Sequence, residues 1–306
     1  KVLSDQMDNT TFQAALRDVN GSVQSGSTLS DSMRKYPKMF DDLYCNLIAA
    51  GEAAGILDSI LKRLSEYIEK AEKLKRKVKG AMAYPAVVLF VALTVIIVLL
   101  VFVIPVFKEV FSGFGKELPT LTQYVVKASE ILRNNFVIVL IGVIIFVFAF
   151  VKGGKTQGGR RLLDTLALKL PVFGDLVRKV AVAKFSRTLA TMLQAGVPII
   201  SSLDIVASTA GNKIVEDAII ESRVAITEGR SLTDPLLESG VFPTMVTQMI
   251  SVGEEAGALD TMLLKVADFY DDEVDAAVDT LTSLIEPALI VFLGVTVGTV
   301  VIAMYM

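Results

Sequence analysis

Gly51-Glu52-Ala53-Ala54-Gly55-Ile56-Leu57-Asp58 is answered, 202 residues later, by Gly253-Glu254-Glu255-Ala256-Gly257-Ala258-Leu259-Asp260. Upstream, Gly26, Leu29 and Asp31 return as Gly229, Leu232 and Asp234 at a shift of 203; downstream, Pro85-Ala86 returns as Pro287-Ala288 at 202. One residue is therefore lost near residues 36–40, a Pro-containing turn, and none between Gly51 and Pro85. Gapless spacing suits a continuous helix, where a single insertion rotates every later side chain by about 100°. Residues 26–90 are thus written twice, the second time as 229–292, and each copy runs on into an apolar stretch. The unit is a helical module joined to a membrane helix, present twice.

Composition agrees. Mean hydropathy is +0.58 with 53% hydrophobic and 21% charged residues, a mixture that suits a membrane protein with substantial water-facing parts. A net charge of −3 gives no bulk attraction to nucleic acid. There is no histidine, no tryptophan and one cysteine, Cys45, so intrachain disulfides and His-based metal or acid–base chemistry are excluded. Cys45 sits in the apolar run 43–50 and reads as a buried structural thiol. Lys1 is not an initiator, no signal peptide is visible, and the counterpart of residues 185–200 would fall upstream of Lys1. Further residues are expected at both ends.

Three stretches are candidate spans. Lys79 and Lys108 bracket 28 uncharged residues whose core, 87–104, has Thr94 as its one polar member; residues 287–306 carry no charge over 20 positions. The middle stretch, 136–151, has 16 residues, about 24 Å of helix against a roughly 30 Å hydrocarbon core. A buried core helix is the alternative there. Its composition, almost entirely Val, Ile and Phe with no polar face, favours a short span. Lys and Arg number eight in 62–79, eight in 152–184 and four in 108–135, which puts the first and third of these segments inside and the middle one outside. The expected order is a first cytoplasmic module 1–79, a span 80–107, a periplasmic loop 108–135, a span 136–151, a second cytoplasmic module 152–284 and a span 285–306. The C-terminus then lies outside, in the periplasm.

Within the modules, Leu61, Leu64, Ile68, Ala71, Leu74 and Val78 recur at spacings of three and four, as do Leu263, Val266, Tyr270, Val274, Ala277, Leu281 and Leu284. Each set reads as an amphipathic helix entering a span. Further helices are expected at 10–25, 41–50, 181–195, 202–210, 213–228 and 244–252, with helix starts at Leu29-Ser30-Asp31 and Leu232-Thr233-Asp234. No segment alternates as a strand does, so the fold class is all-α: two homologous helical bundles plus three transmembrane helices.

The candidate site residues lie in the repeated octet. Gly51, Gly55, Gly253 and Gly257 permit left-handed caps or close helix crossings. Asp58 or Ser59, and Asp260 or Thr261, are positioned to cap the next helix. Glu52 and Glu254 lie by the turn, able to bind backbone N–H groups or a basic partner; the plain reading is a structural helix–turn–helix corner. Pro85 and Pro287 mark membrane entry. Charge separates the copies: 62–79 is net +5, while 264–286 sets Lys265 against seven acids, net −6. Each is a solvated face, or the two faces meet each other, or each meets its own partner. The acidic cluster 268–279 lacks the Gly-turned spacing of a calcium loop, so no metal is assigned.

Enzyme chemistry finds no support. Gly153-Gly154-Lys155-Thr156 is not a P-loop, because the required earlier glycine is Ala149 and no strand precedes it; residues 153–159 read as a flexible basic linker at the membrane exit. A Ser/His/Asp set is impossible without histidine. No catalytic residue and no cofactor is expected.

Taken together, Phe40 through Asp58 with Tyr84-Pro85-Ala86, and Phe185 through Ala195-Gly196-Val197-Pro198 with Gly253-Glu254, Gly257, Asp260 and Glu286-Pro287-Ala288, resemble the type II secretion F-domain family. This is the polytopic inner-membrane platform of type IV pilus and type II secretion machines, and the 40–47 wording looks more like the pilus branch. The resemblance implies a role without intrinsic catalysis: a platform in the bacterial inner membrane, coupling a cytoplasmic hexameric ATPase to pilin or pseudopilin subunits drawn from the lipid bilayer. It also implies inner-membrane alignment proteins as partners, self-association into a homo-oligomer, and no nucleic acid. Glu286 departs from the Tyr84 of the first copy and leaves a charge at the mouth of the last span. A small transporter is the alternative from another class, opposed by charge-free span cores and few spans.

Overall fold

A computed structural model describes residue 6 and residues 9–113, 120–154, 156–171 and 173–305. Among these residues there is no strand, and the chain is all-α. The first copy contains α1 (Thr10–Gln24), α2 (Leu29–Arg34), α3 (Asp42–Ala54) and α4 (Leu57–Val98). A π-helical segment, Leu99–Val103, leads into α5 (Ile104–Gly113), followed by α6 (Thr120–Asn134), α7 (Phe136–Gly153) and α8 (Gln157–Lys169). The second copy contains α9 (Phe173–Gln194), α10 (Ile199–Thr209), α11 (Lys213–Thr227), α12 (Thr233–Glu238), α13 (Thr244–Ala256) and α14 (Leu259–Tyr305).

The chain divides into two compact units. One comprises Lys1–Lys75 with Asp164–Val274, and the other Arg76–Leu163 with Asp275–Met306. The first unit holds both helical modules. Its larger core gathers Phe185, Leu189, Leu203, Ile219, Leu236, Ile250 and Leu263 of the second copy, with Phe185 and Phe242 edge to face at 4.9 Å. Its other core is built on Leu43, Leu47, Ile48, Ile60 and Leu64 of the first copy, and Met192, Ala195, Val197 and Ile205 of the second complete it. Helix α9 serves both cores. It buries residues on every face from Ala181 to Met192, as a helix central to a bundle must. It starts eight residues earlier than the expected 181–195, because Asp175, Arg178 and Lys179 in its first turns hide the apolar period.

The second unit contains the apolar lengths. Among the described residues two helical runs are long and apolar enough to cross a membrane, Leu57–Glu109 and Leu259–Ala303, and only 11% of each apolar window is buried, unlike a soluble core helix. The first run continues through Pro105. Proline at that place lacks an N–H and collides with the carbonyl four residues back, that of Val101. The π-helical widening at Leu99–Val103 relieves that collision without ending the helix, and Ser129 Oγ donates to the Leu100 carbonyl it exposes. The middle stretch forms α7, 18 residues or about 27 Å. Segment 108–135 is largely helical rather than an open loop, except that 114–119 lie outside the described residues. Within this unit Val126 of α6 packs with Ile104 and Val300, and Thr122 Oγ1 donates to the Ala303 carbonyl at 2.7 Å.

The expected flexible linker at 153–159 is corrected. Helix α7 runs to Gly153 and α8 opens at Gln157, so Gly158 and Gly159 are helical. Thr156 joins the two helices: its hydroxyl donates to the Gly153 carbonyl at 2.6 Å and accepts from Gly159 N at 3.2 Å. A Cβ on Gly159 would lie 2.0 Å from the Gly153 carbonyl oxygen, so this is a tight corner that only glycine fits. Lys155 lies outside the described residues.

Candidate functional site

The repeated octet builds the same corner twice. In the first copy α3 ends at Ala54 and Gly55 takes φ +71°. Gly55 N donates to the Glu52 carbonyl at 3.3 Å and Ile56 N to the Gly51 carbonyl at 3.0 Å, the paired bonds of a Schellman motif. In the second copy Gly257 takes φ +64°, with Gly257 N to Glu254 O at 3.4 Å and Ala258 N to Gly253 O at 2.9 Å. Gly51 and Gly253 are the crossing points. A Cβ on Gly51 would meet Ile60 Cγ1 at 2.9 Å, and one on Gly253 would meet Leu259 Cα at 3.0 Å and Met262 Cβ at 3.1 Å.

Asp58 and Asp260 do not cap. The residue that closes each Schellman turn also opens the next helix: Ile60 N donates to the Ile56 carbonyl and Met262 N to that of Ala258, both at 3.1 Å. Asp58 and Asp260 follow in the first turn, favourable there through the helix dipole, with Asp58 exposed and Asp260 half-buried.

Glu52 and Glu254 reach back 20-odd residues to an earlier helix of their own copy. Glu52 Oε1 accepts from Leu29 N at 2.5 Å, and Oε2 from Ser30 N at 3.0 Å and Ser30 Oγ at 2.7 Å. Burial pushes this carboxyl up, but the Ser30 hydroxyl and the N–H groups of Ser30 and Leu29 outweigh it and hold it below its ordinary value. Glu254 repeats the contact with Leu232 N at 3.2 Å and Ser231 Oγ at 2.7 Å. Each glutamate clamps α2 or α12 to the helix that carries it. Pro85 is buried and Pro287 exposed, each inside an unbroken helix, α4 and α14 respectively.

The two copies meet where the sequence placed opposite charges. Helix α4 lies along α9, with Arg63 Nη1 donating to Gln194 Oε1 at 2.6 Å and the Tyr67 hydroxyl 3.1 Å from Thr188 Oγ1. Lys70 Nζ then donates to Asp268 Oδ1 at 2.8 Å, and in the other unit Lys77 pairs with Asp275 at 2.9 Å. Arg187 of α9, with its side chain 9% exposed, joins the first of these: it donates to Asp268 at 2.9 Å and also to Asp271. Lys179 bridges Asp175 and Glu273, each at 2.9 Å.

The two carboxylates on Arg187 respond oppositely. Burial raises both, but Asp268 receives two cations, Lys70 and Arg187, and ends below its ordinary value. Asp271 receives Arg187 closely, is more deeply buried and faces the charge of Asp268, so it ends raised. Sequence reasoning missed Arg187. The available signal was a cation, one of two with Lys184, inside the charge-poor 181–192 run, which must find a carboxylate when the helix is buried. Near the node's modules, α3 and the Ala195-Gly196-Val197-Pro198 turn border an open groove of about 500 Å³. The site joins, clamps and orients helices; its ionic groups are partnered with one another.

The family model for type II secretion system (T2SS), protein F, matches residues 1–105 and 185–306. The chain is 52% identical over 305 residues to the type IV pilus assembly protein PilC of Myxococcus xanthus, covering all of this chain and 73% of that protein. It is 44% identical over 306 residues to the type IV pilus assembly protein PilC of Pseudomonas aeruginosa, covering all of this chain and 82% of that one. Identity to the type II secretion system protein F of Vibrio cholerae is 32% over 307 residues, covering all of this chain and 75% of the relative.

Proposed function

Because the chain belongs to the type II secretion system protein F family, we propose that it is the inner-membrane platform of type IV pilus assembly, coupling a cytoplasmic hexameric ATPase to pilin insertion or extraction. The observation that carries this reading is mechanical. Each module ends in a helix of more than 40 residues, α4 and α14, that continues without interruption into a membrane-length apolar stretch. A continuous helix resists bending, so a force on the module is delivered to the span rather than lost at a hinge. Identity favours the pilus context, at 38–52% to proteins named for pilus or fimbrial assembly against 32% to proteins named for secretion. The platform of a type II secretion system is the second reading, supported by alignment over the full chain.

In this reading α7 is a third crossing, and the Lys/Arg distribution sets the modules inside and the C-terminus in the periplasm. Glu52, Glu254, Gly51, Gly55, Gly253 and Gly257 hold the turns. The exposed faces of 41–79 and 202–284, Asp58 among them, contact the ATPase, while the spans contact pilin helices, alignment proteins and a further copy of the chain. Crosslinking 41–79 and 202–284 to the ATPase in cells tests it. Contact at these faces is expected; no contact, together with normal piliation after charge reversal there, overturns the reading. Reporter fusions at 120 and 220 are expected to fall on opposite sides of the membrane.

A further inference from the structure

Helix α6 carries two rows of side chains on opposite sides. Thr122, Val126 and Ser129 lie within about 60° of one another around the helix, and each is under a tenth exposed. Tyr124, Ala128 and Ile131 form the second row, roughly opposite, and all three are exposed, Tyr124 at 74% and Ile131 at 59%. The buried row is seated on the apolar runs themselves. Thr122 Oγ1 donates to the Ala303 carbonyl at 2.7 Å, Val126 packs with Ile104 and Val300, and Ser129 Oγ donates to the Leu100 carbonyl. Leu100 and Ile104 belong to the uncharged run between Lys79 and Lys108, Val300 and Ala303 to the uncharged run 287–306. Between the two rows, about 100° from each, Gln123, Lys127, Glu130 and Asn134 form a polar edge. Glu130 of that edge pairs with Lys108, the charge that closes the first run. The edge opposite it is apolar, with Val125 and Leu132 half-buried.

We propose that α6 lies in the bilayer, not in the water beyond it: along the boundary between headgroups and acyl chains, in the leaflet where the first span ends, with Tyr124, Ala128 and Ile131 against lipid. Three observations select lipid as the occupant. The first is the seat. Ile104 and Leu100 lie about 6 and 12 Å along the helix from Lys108, inside the uncharged run, so the lipid that surrounds this run also surrounds a helix held on its flank. A helix is about 10–12 Å across, and the row opposite the seat therefore stands one helix diameter out among the lipids. The second is the order of the edges. The polar edge is tied to Lys108 at the charged boundary and the apolar edge faces the other way, which is the polarity gradient of an interfacial helix. The exposed tyrosine, with an apolar ring and a polar tip, suits that depth. The third is the hydroxyls. Thr122 and Ser129 both donate to main-chain carbonyls of the apolar runs, as buried donors must where no water reaches them.

The inference rests on reading α4 and α14 as membrane spans, and the test separates the two. The chain has no tryptophan, so one substitution gives one fluorophore. The full chain carrying Tyr124→Trp, separately Ile131→Trp on the same row, and separately Leu93→Trp in the first span, is reconstituted into phosphatidylglycerol–phosphatidylcholine vesicles. Their lipids bear bromine either high on the acyl chain, near the headgroup, or deep in it. Tyr124→Trp and Ile131→Trp are both expected to emit blue-shifted light that shallow bromine diminishes about twofold and deep bromine little. Leu93→Trp is expected to be quenched by deep bromine. Red emission from the two α6 variants, quenched by aqueous acrylamide and not by bromine, overturns the inference in favour of water. Blue emission that neither agent quenches overturns it in favour of a protein cover, such as a second copy of the chain. Stronger quenching by deep than by shallow bromine overturns the placement at the boundary. Any of these with Leu93→Trp still quenched leaves the membrane reading standing; loss of quenching at Leu93 as well removes both.

Discussion

Lys70 meets Asp268 one helical turn away from where the duplication would set its counterpart. The repeat shift here is 202, so Lys70 corresponds to Asp272, whereas the ion pair joins residues 198 apart. Lys77 and Asp275 keep the same 198 separation. The mirror-related pair would be Glu66 with Asp272, two carboxylates. The mirror of the second pair, Lys73 with Asp279, would attract, so charge opposes the alternative register at Glu66 and Asp272 alone. The copies nevertheless pair unsymmetrically, a basic helix against an acidic one.

Arg187 is the member of this node that stability depends on. Its side chain is 9% exposed, while Lys70 and Asp268 remain about half exposed. Arg187→Met strands Asp271 without its cation and is expected to cost about 2 kcal/mol, below the full cost of breaking a buried pair because Asp268 is solvated. Lys70→Gln removes a screened pair and is expected to cost about 0.5 kcal/mol or less. Cys45 reports both. It is the only cysteine and is buried, with burial raising its thiol, so a thiol-reactive dye reads unfolding directly. A drop in midpoint of roughly 5 °C for Arg187→Met, and little for Lys70→Gln, is the expected result. Equal drops would place the node's strength in its surface member instead.

The glycines of the corners divide into two kinds that alanine separates. Gly55 and Gly257 need only their positive φ, with open space around them, so alanine is expected to cost about 1 kcal/mol. Gly51 and Gly253 have helical backbones but no room. At Gly51 the nearest atoms are the Ile60 side chain, which can rotate away, whereas at Gly253 the Leu259 backbone is at 3.0 Å. Gly253→Ala is expected to cost about 2–3 kcal/mol and Gly51→Ala somewhat less. The Cys45 dye melt, repeated on the four variants, checks that order.

Much of this was legible because the chain repeats itself. A gapless 34-residue spacing from Gly51 to Pro85, preserved in both copies, suits a continuous helix, and beyond the Gly55 and Gly257 turns α4 and α14 are each one. The corners follow from glycine chemistry, and a carboxylate beside such a turn, as Glu52 and Glu254 are, can accept from backbone N–H groups or meet a basic partner. What stayed hidden had a physical reason in each case. Helix α8 opens on Gly158-Gly159, which read as linker; the residues that make it a helical start, Thr156 and the Gly153 carbonyl, act through geometry that no composition carries. The first turns of α9 are polar, with Lys179 pairing to Asp175 of its own helix and to Glu273 of α14, so periodicity could not find them. Asp58 and Asp260 suit a capping position by residue type, but the Schellman turn had already supplied the helix start two residues earlier.

Lys184 is expected to be a cost that a neutral side chain removes. It is half-buried on α9, burial holds its ammonium below the ordinary 10.5, and only the field of Asp41 opposes this. An unfolded chain then binds a proton that the folded chain gives up, so stability rises with pH between the lowered value and 10.5. Lys184→Met is expected to be neutral or to stabilise by about 1 kcal/mol at pH 7. Its advantage over the natural chain should shrink as pH approaches 10.5. A destabilised variant, or an advantage independent of pH, would show that Lys184 is held by a favourable contact instead.

Glu52 gives the opposite dependence, at acid pH. Its folded value lies below 4.5 because it accepts three hydrogen bonds as a carboxylate, so its contribution is complete above about 4.5 and is lost as pH falls through the folded value. Glu52→Gln keeps the shape but replaces one accepting oxygen with a donor facing Leu29 N or the Ser30 groups. The expected cost at pH 7 is about 1–2 kcal/mol, the range for hydrogen bonds to a charged group at a partly exposed site. The carboxylates common to both proteins, Asp268 and Asp271 included, cancel in the comparison. The gap between the natural chain and Glu52→Gln should therefore hold from pH 7 to about 5 and narrow steadily below 4.5. A gap that stays constant down to pH 3 would mean that Glu52 clamps α2 through shape rather than charge.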